Sequence, residues 1–423
     1  MWVARRNEAL LLMLVGSILF VRYPVQFAIS PPYLMDFNVY RTVADRVIHG
    51  QTQALYFPTT LDSERMVFKY APPWAFCWVP LAWLPAQAAA VVWTCINVLA
   101  LLVTLMLCGR LCRIGELKTS RWTGLIAVVA VLLITTPLNE EIGNGQANLL
   151  WGALVTGFIL AMMLRRPWLA AALLSGAILL KLPAAIFLPY LVLRRQWGVC
   201  WRAAVIGCGA TLIASTLLMP QAPLRLVAAW GEALFHNGTT YAFEISNQSL
   251  LALFGRLFTR DGYGLNVLAL PRALLFPIAA AIIAVATILT AARRVPDHPA
   301  RWLFDSAILV ILMVIGSPSS WPATYTALVW PLFLSLAIMS HQVTSRRWDV
   351  GSLVLAVLAL ICNALTHRKY WDLLGLRDWH GEGYLFLVFM TLPLMALCVL
   401  GLLVRHGQLA AVAPELSAST SHI

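Results

Sequence analysis

Runs of consecutive apolar residues recur along the whole of this 423-residue chain. Many are close to twenty residues long, enough for a helix to cross a hydrocarbon core of ~30 Å. In lipid every backbone N–H and C=O needs an internal partner, so such a chain crosses as helices or as a closed barrel. A barrel would show short alternating strands, which this sequence lacks. Only 11% of residues are charged and 61% are hydrophobic, with mean hydropathy +0.79, against about 25% charged in soluble domains. The expected fold class is an all-α polytopic membrane protein.

Twelve spans are expected: Ala9–Ala28, Gln87–Cys108, Trp122–Thr136, Ala147–Leu164, Trp168–Leu180, Leu182–Leu193, Ala203–Met219, Ala269–Ala292, Leu303–Gly316, Ala323–Ser340, Val350–Leu365 and Tyr384–Val404. The net charge of +12 does not point to nucleic acid, because arginines cluster in short runs between spans. Arg5-Arg6, Arg165-Arg166, Arg194-Arg195, Arg293-Arg294 and Arg346-Arg347 mark cytoplasmic loops. To keep them on one side, the apolar stretch Ala71–Leu84 must not cross. Pro72, Pro73, Pro80 and Pro85 suit a broken, re-entrant or interfacial path there.

The outward segments are then Ile29–Tyr70, Pro137–Gln146, Pro220–Leu268, Ser317–Pro322 and Thr366–Gly383. No linker divides the chain, so one membrane domain is expected over 1–404, followed by a short cytoplasmic tail, 405–423, without fixed structure. The first segment lacks an A-x-A cleavage site and is read as a retained span. The eight cysteines form no CxxC and no zinc-like spacing with histidine, and are read as buried free thiols. No Walker A, Gly-rich dinucleotide loop or DxD motif lies on the inner side. The chemistry-bearing residues are on the outer side.

Asp36 stands out among them, just past the first span, since a carboxylate at the mouth of an apolar protein is costly unless it binds or reacts with something. Phe37, Tyr40, Ala44, Val47 and Ile48 follow at helical spacing, with Arg41, Asp45, Arg46 and His49 between them and Gly50 at the end. This predicts an amphipathic helix on the outer surface. Asp36 at its start is either an N-cap or a functional carboxylate, and position alone favours the cap. Lys69, within Phe68-Lys69-Tyr70-Ala71-Pro72-Pro73, either meets a lipid phosphate or snorkels from an aromatic belt. Glu140, Glu141, Asn144, Gln146 and Asn148 form a polar plug between two spans. It suits sugar hydroxyls or is simply a solvated turn. Lys181, between two apolar runs, meets a lipid phosphate, reaches headgroups or pairs with a carboxylate. Asn247, Gln248 and Ser249, the Ser317–Trp321 turn, and a fourth loop with His367 and Arg368 complete the outer polar groups.

Taken in order, these motifs resemble one family. Asp-Phe-x-Val-Tyr (Asp36 to Tyr40), Gly50 and Tyr56, Phe-x-Tyr-x-Pro-Pro (Phe68 to Pro73), Pro-Leu-Ala-x-Leu-Pro (Pro80 to Pro85), Gly-Gln-x-Asn (Gly145 to Asn148), Lys-x-Pro at Lys181, Asn-Gln-Ser (Asn247 to Ser249) and Ser-Pro-x-Ser-Trp (Ser317 to Trp321) resemble glycosyltransferase family 87 over most of the chain. The resemblance implies the GT-C fold and a polyprenyl-phosphate-sugar-dependent transferase, mannosyltransferase-like. It implies Asp36 as catalytic base, with the Lys181-Pro turn and Lys69 near the carrier phosphate. His367 and Arg368 of the fourth loop, a lipid-facing rim or part of an acceptor site, are expected beside the phosphate too, and sugar or acceptor contacts are expected from Tyr40, Tyr70, Glu140, Glu141, Asn144, Gln146, Asn247, Gln248 and Trp321. Relatives often carry histidines soon after Ser-Trp, where this chain has Trp321-Pro322-Ala323-Thr324-Tyr325.

The expected function is transfer of a hexose, mannose favoured, from a polyprenyl-phosphate donor to a hydroxyl of a glycolipid or glycan. Transfer is inverting, on the periplasmic face of a bacterial cytoplasmic membrane. No cofactor and no metal are required, because a phosphate monoester leaves well once neutralised. The partners are donor, acceptor and membrane lipids, and not nucleic acid. A transporter or flippase of lipid-linked saccharides is the alternative, and transporters often show internal repeats and broken mid-membrane helices. No repeat is found here. A structural role in an envelope complex is a third reading.

Overall fold

The structure is a computed structural model that describes residues 2–30, 34–58, 67–115, 117, 122–244, 246–259, 267–293, 299–345, 349–366 and 390–419. Among these residues the chain is helical, with no strand. His367 and Arg368, most of the fourth outward loop and the first part of the Tyr384–Val404 span lie outside them.

Among the described residues, helices sit on all the apolar segments that the sequence marks, but their lengths differ. Leu10–Ile29, Ala86–Ile114, Trp197–Leu218, Arg272–Ala292 and Pro322–Val343 are long and apolar enough to cross a bilayer alone. Asn148–Met163, Pro167–Leu180, Leu182–Leu193, Val350–Leu365 and Thr391–His406 are shorter apolar helices. A helix the length of Pro167–Leu180, 14 residues, rises only ~21 Å. Twelve straight crossings are therefore more than length and composition support. The first span is also interrupted by a π-helical turn, Val21–Val25, which holds Pro24. Leu182–Leu193 opens as a 3-10 turn over Leu182–Ile186 around Pro183.

Three stretches differ from expectation. Ala71–Leu84 is not broken: Pro72–Ala82 is a helix of 11 residues with prolines in its first turn, where the missing N–H groups would be unpaired anyway. It is too short to cross. Pro137–Gln146 is not a loop, since Thr135–Asn144 is a helix. The backbone is helical to Ser419, through most of the tail expected to lack structure. Nor are the thiols uniformly buried: all eight are free, but Cys77 and Cys208 are exposed on the protein surface. A lipid-facing wall needs no protein covering.

The chain divides into two compact units, although no linker marks the division in sequence. One comprises Met1–Leu11, Leu105–Thr136 and Phe243–Ile423, the other Leu12–Thr104 and Pro137–Ala242. In the first, Pro299–Ile315 is apolar nearly all round and almost wholly buried from Leu303 to Ile315, as such a helix must be. It packs on Val329–Ser345 and the C-terminal helix. In the second, Met35–Ile48 lies against Pro72–Ala82, and Pro167–Leu180 is packed between Asn148–Met163 and Trp197–Leu218.

An aromatic cluster holds the Met35–Ile48 helix down. Tyr40 stacks on Trp78 at 4.4 Å between ring centroids, Trp78 meets Trp93 edge-on at 4.7 Å, and Phe37 stacks on Trp93 at 6.2 Å. Each such contact adds ~0.5–1.5 kcal/mol beyond the area buried. Trp93 Nε1 donates to the Gly145 carbonyl at 2.8 Å. Gly145 ends the Thr135–Asn144 helix at φ +69°, with Gly145 N–H bonded to Ile142 O and Gln146 N–H to Glu141 O, a Schellman closure. A Cβ here would lie 2.7 Å from Cβ of Phe37 and 3.2 Å from Cβ of Leu34. Only glycine allows the 144–146 turn to touch the start of the Asp36 helix.

Gly145→Ala meets both a left-handed backbone and that contact, and should lower stability by about 2 kcal/mol or more. A fall in the thermal unfolding midpoint in detergent checks this; an unchanged midpoint contradicts the close approach.

Candidate active site

Leu34, extended at φ −86° and ψ 93°, caps the Met35–Ile48 helix, and no side chain caps it. The cap reading of Asp36 is therefore wrong; the carboxylate lies in the first turn, where the helix dipole favours negative charge. The buried face is Phe37, Val39, Tyr40, Val43 and Ala44, whereas Ile48 is exposed.

Two cations act on Asp36. Lys69 comes from the Phe68–Pro73 segment, which is tied down where Ala71 N–H donates to Leu179 O at 3.0 Å. Lys181 follows immediately after the Pro167–Leu180 helix. It takes an extended conformation, φ −147° and ψ 117°, where that helix gives way to the 3-10 turn. Asp36, Lys69 and Lys181 are each part-exposed. Protein atoms crowd Asp36 on most sides while part of its surface stays open. That desolvation outweighs the attraction of Lys69, then Lys181, and the smaller influence of the Gln146 amide, so its carboxyl titrates above the usual value.

Behind Asp36 runs a buried polar chain. Lys181 Nζ donates to Asn148 Oδ1 at 2.5 Å. Asn148 Nδ2 donates to Glu141 Oε2 at 2.6 Å and to Gln146 Oε1 at 2.8 Å. Leu149 N–H donates to Glu141 Oε1 at 3.0 Å. Glu141 and Asn148 are fully buried.

Several expected sugar contacts have other work. Glu141 is closed off, its two oxygens engaged by the protein. Tyr40 and Tyr70 are buried with their hydroxyls bonded to each other at 2.6 Å, and Tyr56 OH donates to Tyr70 O. Burial holds all three phenols protonated, above their usual values. Asn247 is fully buried. Its Nδ2 donates to Pro318 O at 2.7 Å, and its Oδ1 accepts from Ser249 N–H and Ser320 N–H, each at 3.0 Å. It fastens the Ser317–Trp321 turn and leaves nothing for a sugar. Glu140 is exposed and accepts from Asn144 at 3.3 Å. Gln248 is buried with its Oε1 unpartnered, and Trp321 is half-buried at the start of the Pro322–Leu328 turn. Asn247, Gln248 and Trp321 belong to the other unit from Asp36.

Asn148 is a site residue that the sequence reading leaves within the polar plug without a role. Its signal is the Gly-Gln-x-Asn spacing, which puts an amide on the first residue of a helix directly after a glycine turn. A crevice of about 340 Å³ beside Lys69 also escapes the sequence; Tyr56, Phe57, Glu232, His236 and Tyr241 line it. These residues come from two stretches far apart in the chain, and no local pattern joins them. Among the described residues no three His, Cys, Asp or Glu side chains are grouped to hold a metal ion.

An ionisable carboxylate flanked by two ammonium groups at the edge of an apolar body can take a proton beside a bound anion. The sequence profile of glycosyltransferase family 87 matches residues 68–318. The chain belongs to this family and is a multi-pass membrane glycosyltransferase. It is 24% identical over 391 residues to the polyprenol-phosphate-mannose-dependent alpha-(1-2)-phosphatidylinositol mannoside mannosyltransferase of Mycolicibacterium smegmatis, covering 86% of this chain and 84% of that one. To the protein of the same name from Mycobacterium tuberculosis it is 25% identical over 364 residues, covering 81% and 78%. Among solved structures, the crystal structure of ArnT from Cupriavidus metallidurans bound to undecaprenyl phosphate aligns with a TM-score of 0.42 at 14% identity, covering 96% of this chain and 80% of that one.

Asn247→Ala strands two N–H groups and leaves the carbonyl of Pro318 only a long contact from the Ser249 hydroxyl. It should cost about 2 kcal/mol or more, at ~1–3 kcal/mol for each buried group left unpaired. Thermal unfolding in detergent reads it; a loss below about 1 kcal/mol would mean that the turn does not depend on this amide.

Proposed function

We propose that this chain, on a GT-C plan, transfers a hexose, mannose favoured, from a polyprenyl-phosphate donor to a hydroxyl of a glycolipid or glycan. Both curated relatives carry a polyprenol-phosphate-mannose donor and a phosphatidylinositol mannoside acceptor in their names. The observation that carries the reading is Asp36, part-exposed and acted on by both Lys69 and Lys181.

Asp36 takes the proton of the acceptor hydroxyl as its oxygen attacks the anomeric carbon from the face opposite the phosphate, which inverts that centre. The C1–O bond to phosphate breaks, and the electron pair leaves on the carrier phosphate. Lys181, with Lys69 beside it, balances the charge that grows there. No metal is needed for that step. The crevice beside Lys69 has room for a saccharide unit. The site faces the non-cytoplasmic side of a bacterial cytoplasmic membrane, in keeping with the arginine-rich loops opposite.

The base must be ionised to act. Because the Asp36 carboxyl titrates above the usual carboxylate range, activity should be full at higher pH and be lost on acidification through that raised value. Asp36→Asn should lower kcat by about 10² to 10⁴ and keep donor binding. It should not lower the thermal midpoint, since the ionised carboxylate is disfavoured by its surroundings. Transfer of radiolabelled mannose from a synthetic prenyl-phosphate mannose to octyl α-mannoside measures this; near-normal transfer removes the role. Lys181→Ala loses a charge-assisted contact of ~1.5–3 kcal/mol, and donor Kd should rise about tenfold to a hundredfold with acceptor preference unchanged. An unaltered donor Kd would exclude the phosphate contact.

A further inference from the structure

The crevice beside Lys69 has two walls, and one of them is built onto the helix that carries Asp36. Every residue lining it belongs to the same compact unit as Asp36. The walls come from Ile29–Tyr70 and Pro220–Leu268, two segments expected on one side of the membrane. Arg46, in the last turn of Met35–Ile48, donates to Ala54 O at 2.6 Å and to Phe57 O and Pro58 O at 2.9 Å each. Tyr56 OH donates to Tyr70 O at 3.0 Å, and the Tyr70 hydroxyl is bonded to that of Tyr40. Tyr40 lies about one helical turn beyond Asp36, on the same side of the helix. The wall of Tyr56, Phe57 and Lys69 is therefore fixed to the Asp36 helix at two points.

The other wall is the Pro223–Thr240 helix, which packs on Trp197–Leu218 and Pro72–Ala82. Trp230 Nε1 donates to Lys69 O at 3.1 Å and ties the two walls together. Ala229, Glu232, Ala233 and His236 line the crevice at the spacing of a single helical face. The two alanines leave the space open. Glu232 and His236 are exposed and one turn apart, and among the described residues neither side chain has a hydrogen bond or ion pair. Phe57 is exposed too, although Arg46 holds its backbone in place. A pyranose ring suits such a lining: its C–H face is apolar and its hydroxyls both donate and accept. An exposed aromatic ring covers the C–H face, a carboxylate accepts from hydroxyls, and a neutral imidazole donates through one nitrogen and accepts through the other. A phosphate suits it less, because the charge of Glu232 offsets that of Lys69.

We infer that this crevice binds the acceptor saccharide, with Glu232 and His236 holding its hydroxyls and Phe57 its C–H face. This rests on the reading of the chain as a sugar transferase with Asp36 as base. The test uses purified full-length protein in nanodiscs, with synthetic prenyl-phosphate mannose as donor and methyl and octyl α-mannoside as acceptors. Glu232→Ala and His236→Ala should each raise acceptor KM about tenfold, the loss expected for one hydrogen bond to a charged or strongly polar group. Donor KM and kcat should stay within about twofold, since the contact is made equally before and during the reaction. Both side chains are exposed, so the thermal midpoint should not move. The two acceptors share only the sugar ring and should be affected alike. An effect confined to octyl α-mannoside would mean that the crevice holds an alkyl chain, and would overturn the inference. So would acceptor KM within about twofold of wild type in both variants.

A second readout needs no turnover. A methyl α-mannoside carrying a diazirine on the ring is photolysed with the protein in the absence of donor, and the adducts are mapped by mass spectrometry. They should fall on Phe57 or on the Pro223–Thr240 helix and be suppressed by excess methyl α-mannoside. Ala233→Trp, which fills the crevice, should remove them and leave donor Kd unchanged. If the adducts form there but wild-type protein transfers nothing, the crevice stands as a saccharide site and the transferase reading falls. If wild-type protein transfers mannose but the adducts lie elsewhere, or persist in Ala233→Trp, the transferase reading stands and the crevice is not the acceptor site.

Discussion

The site depends on keeping one carboxylate usable in surroundings that disfavour its charge. Asp36 is crowded by protein at the edge of an apolar body, and desolvation is the largest influence on it. Three things resist that: the ammonium of Lys69, the ammonium of Lys181, and the amide of Gln146. They come from three separate stretches of chain, so most of the local architecture serves to bring them to one point. A carboxyl raised by burial but held by cations is suited to act as a base, because its charge is disfavoured enough that it gains by taking a proton.

That architecture rests on close backbone approach and on rigid aromatics. Gly145 lets the 144–146 turn touch the first turn of the Asp36 helix, and Trp93 clamps both by stacking on Phe37 and donating to the Gly145 carbonyl. Tyr40 and Tyr70, with hydroxyls joined, close the other side. The Ala71–Leu179 hydrogen bond sets the Lys69 segment against the end of the helix that delivers Lys181. Side chains locked in this way need little reorganisation when charge moves during the reaction.

Much of this is legible in the sequence, and the limits follow from physics. Apolar runs and arginine loops locate the helices, because hydropathy and charge asymmetry report directly on the membrane. They do not fix the number of crossings, since a run such as Trp168–Leu180 is apolar enough but short. Asp36 is legible because a lone carboxylate after the first span is conspicuous. Its neighbours' roles are not. Glu140 and Glu141 are adjacent and chemically alike, and only the phase of an unexpected helix puts one outside and the other inside. That helix is hidden by Pro137 and Gly143, which read as loop residues, although a proline in the first turn is tolerated. Asn247 looks like a sugar ligand because amides suit sugars; they suit tight turns equally well, and burial decides between the two.

Where the donor phosphate sits relative to Asp36 can be seen in an experimental map of the protein with a non-hydrolysable prenyl-phosphate mannose analogue bound. A phosphate oxygen should lie within hydrogen-bond distance of Lys181 Nζ, with the Asp36 carboxylate facing the anomeric carbon from the side opposite the phosphate. A phosphate seated away from both Lys181 and Lys69, or Asp36 on the same side of the sugar as the phosphate, would contradict that arrangement.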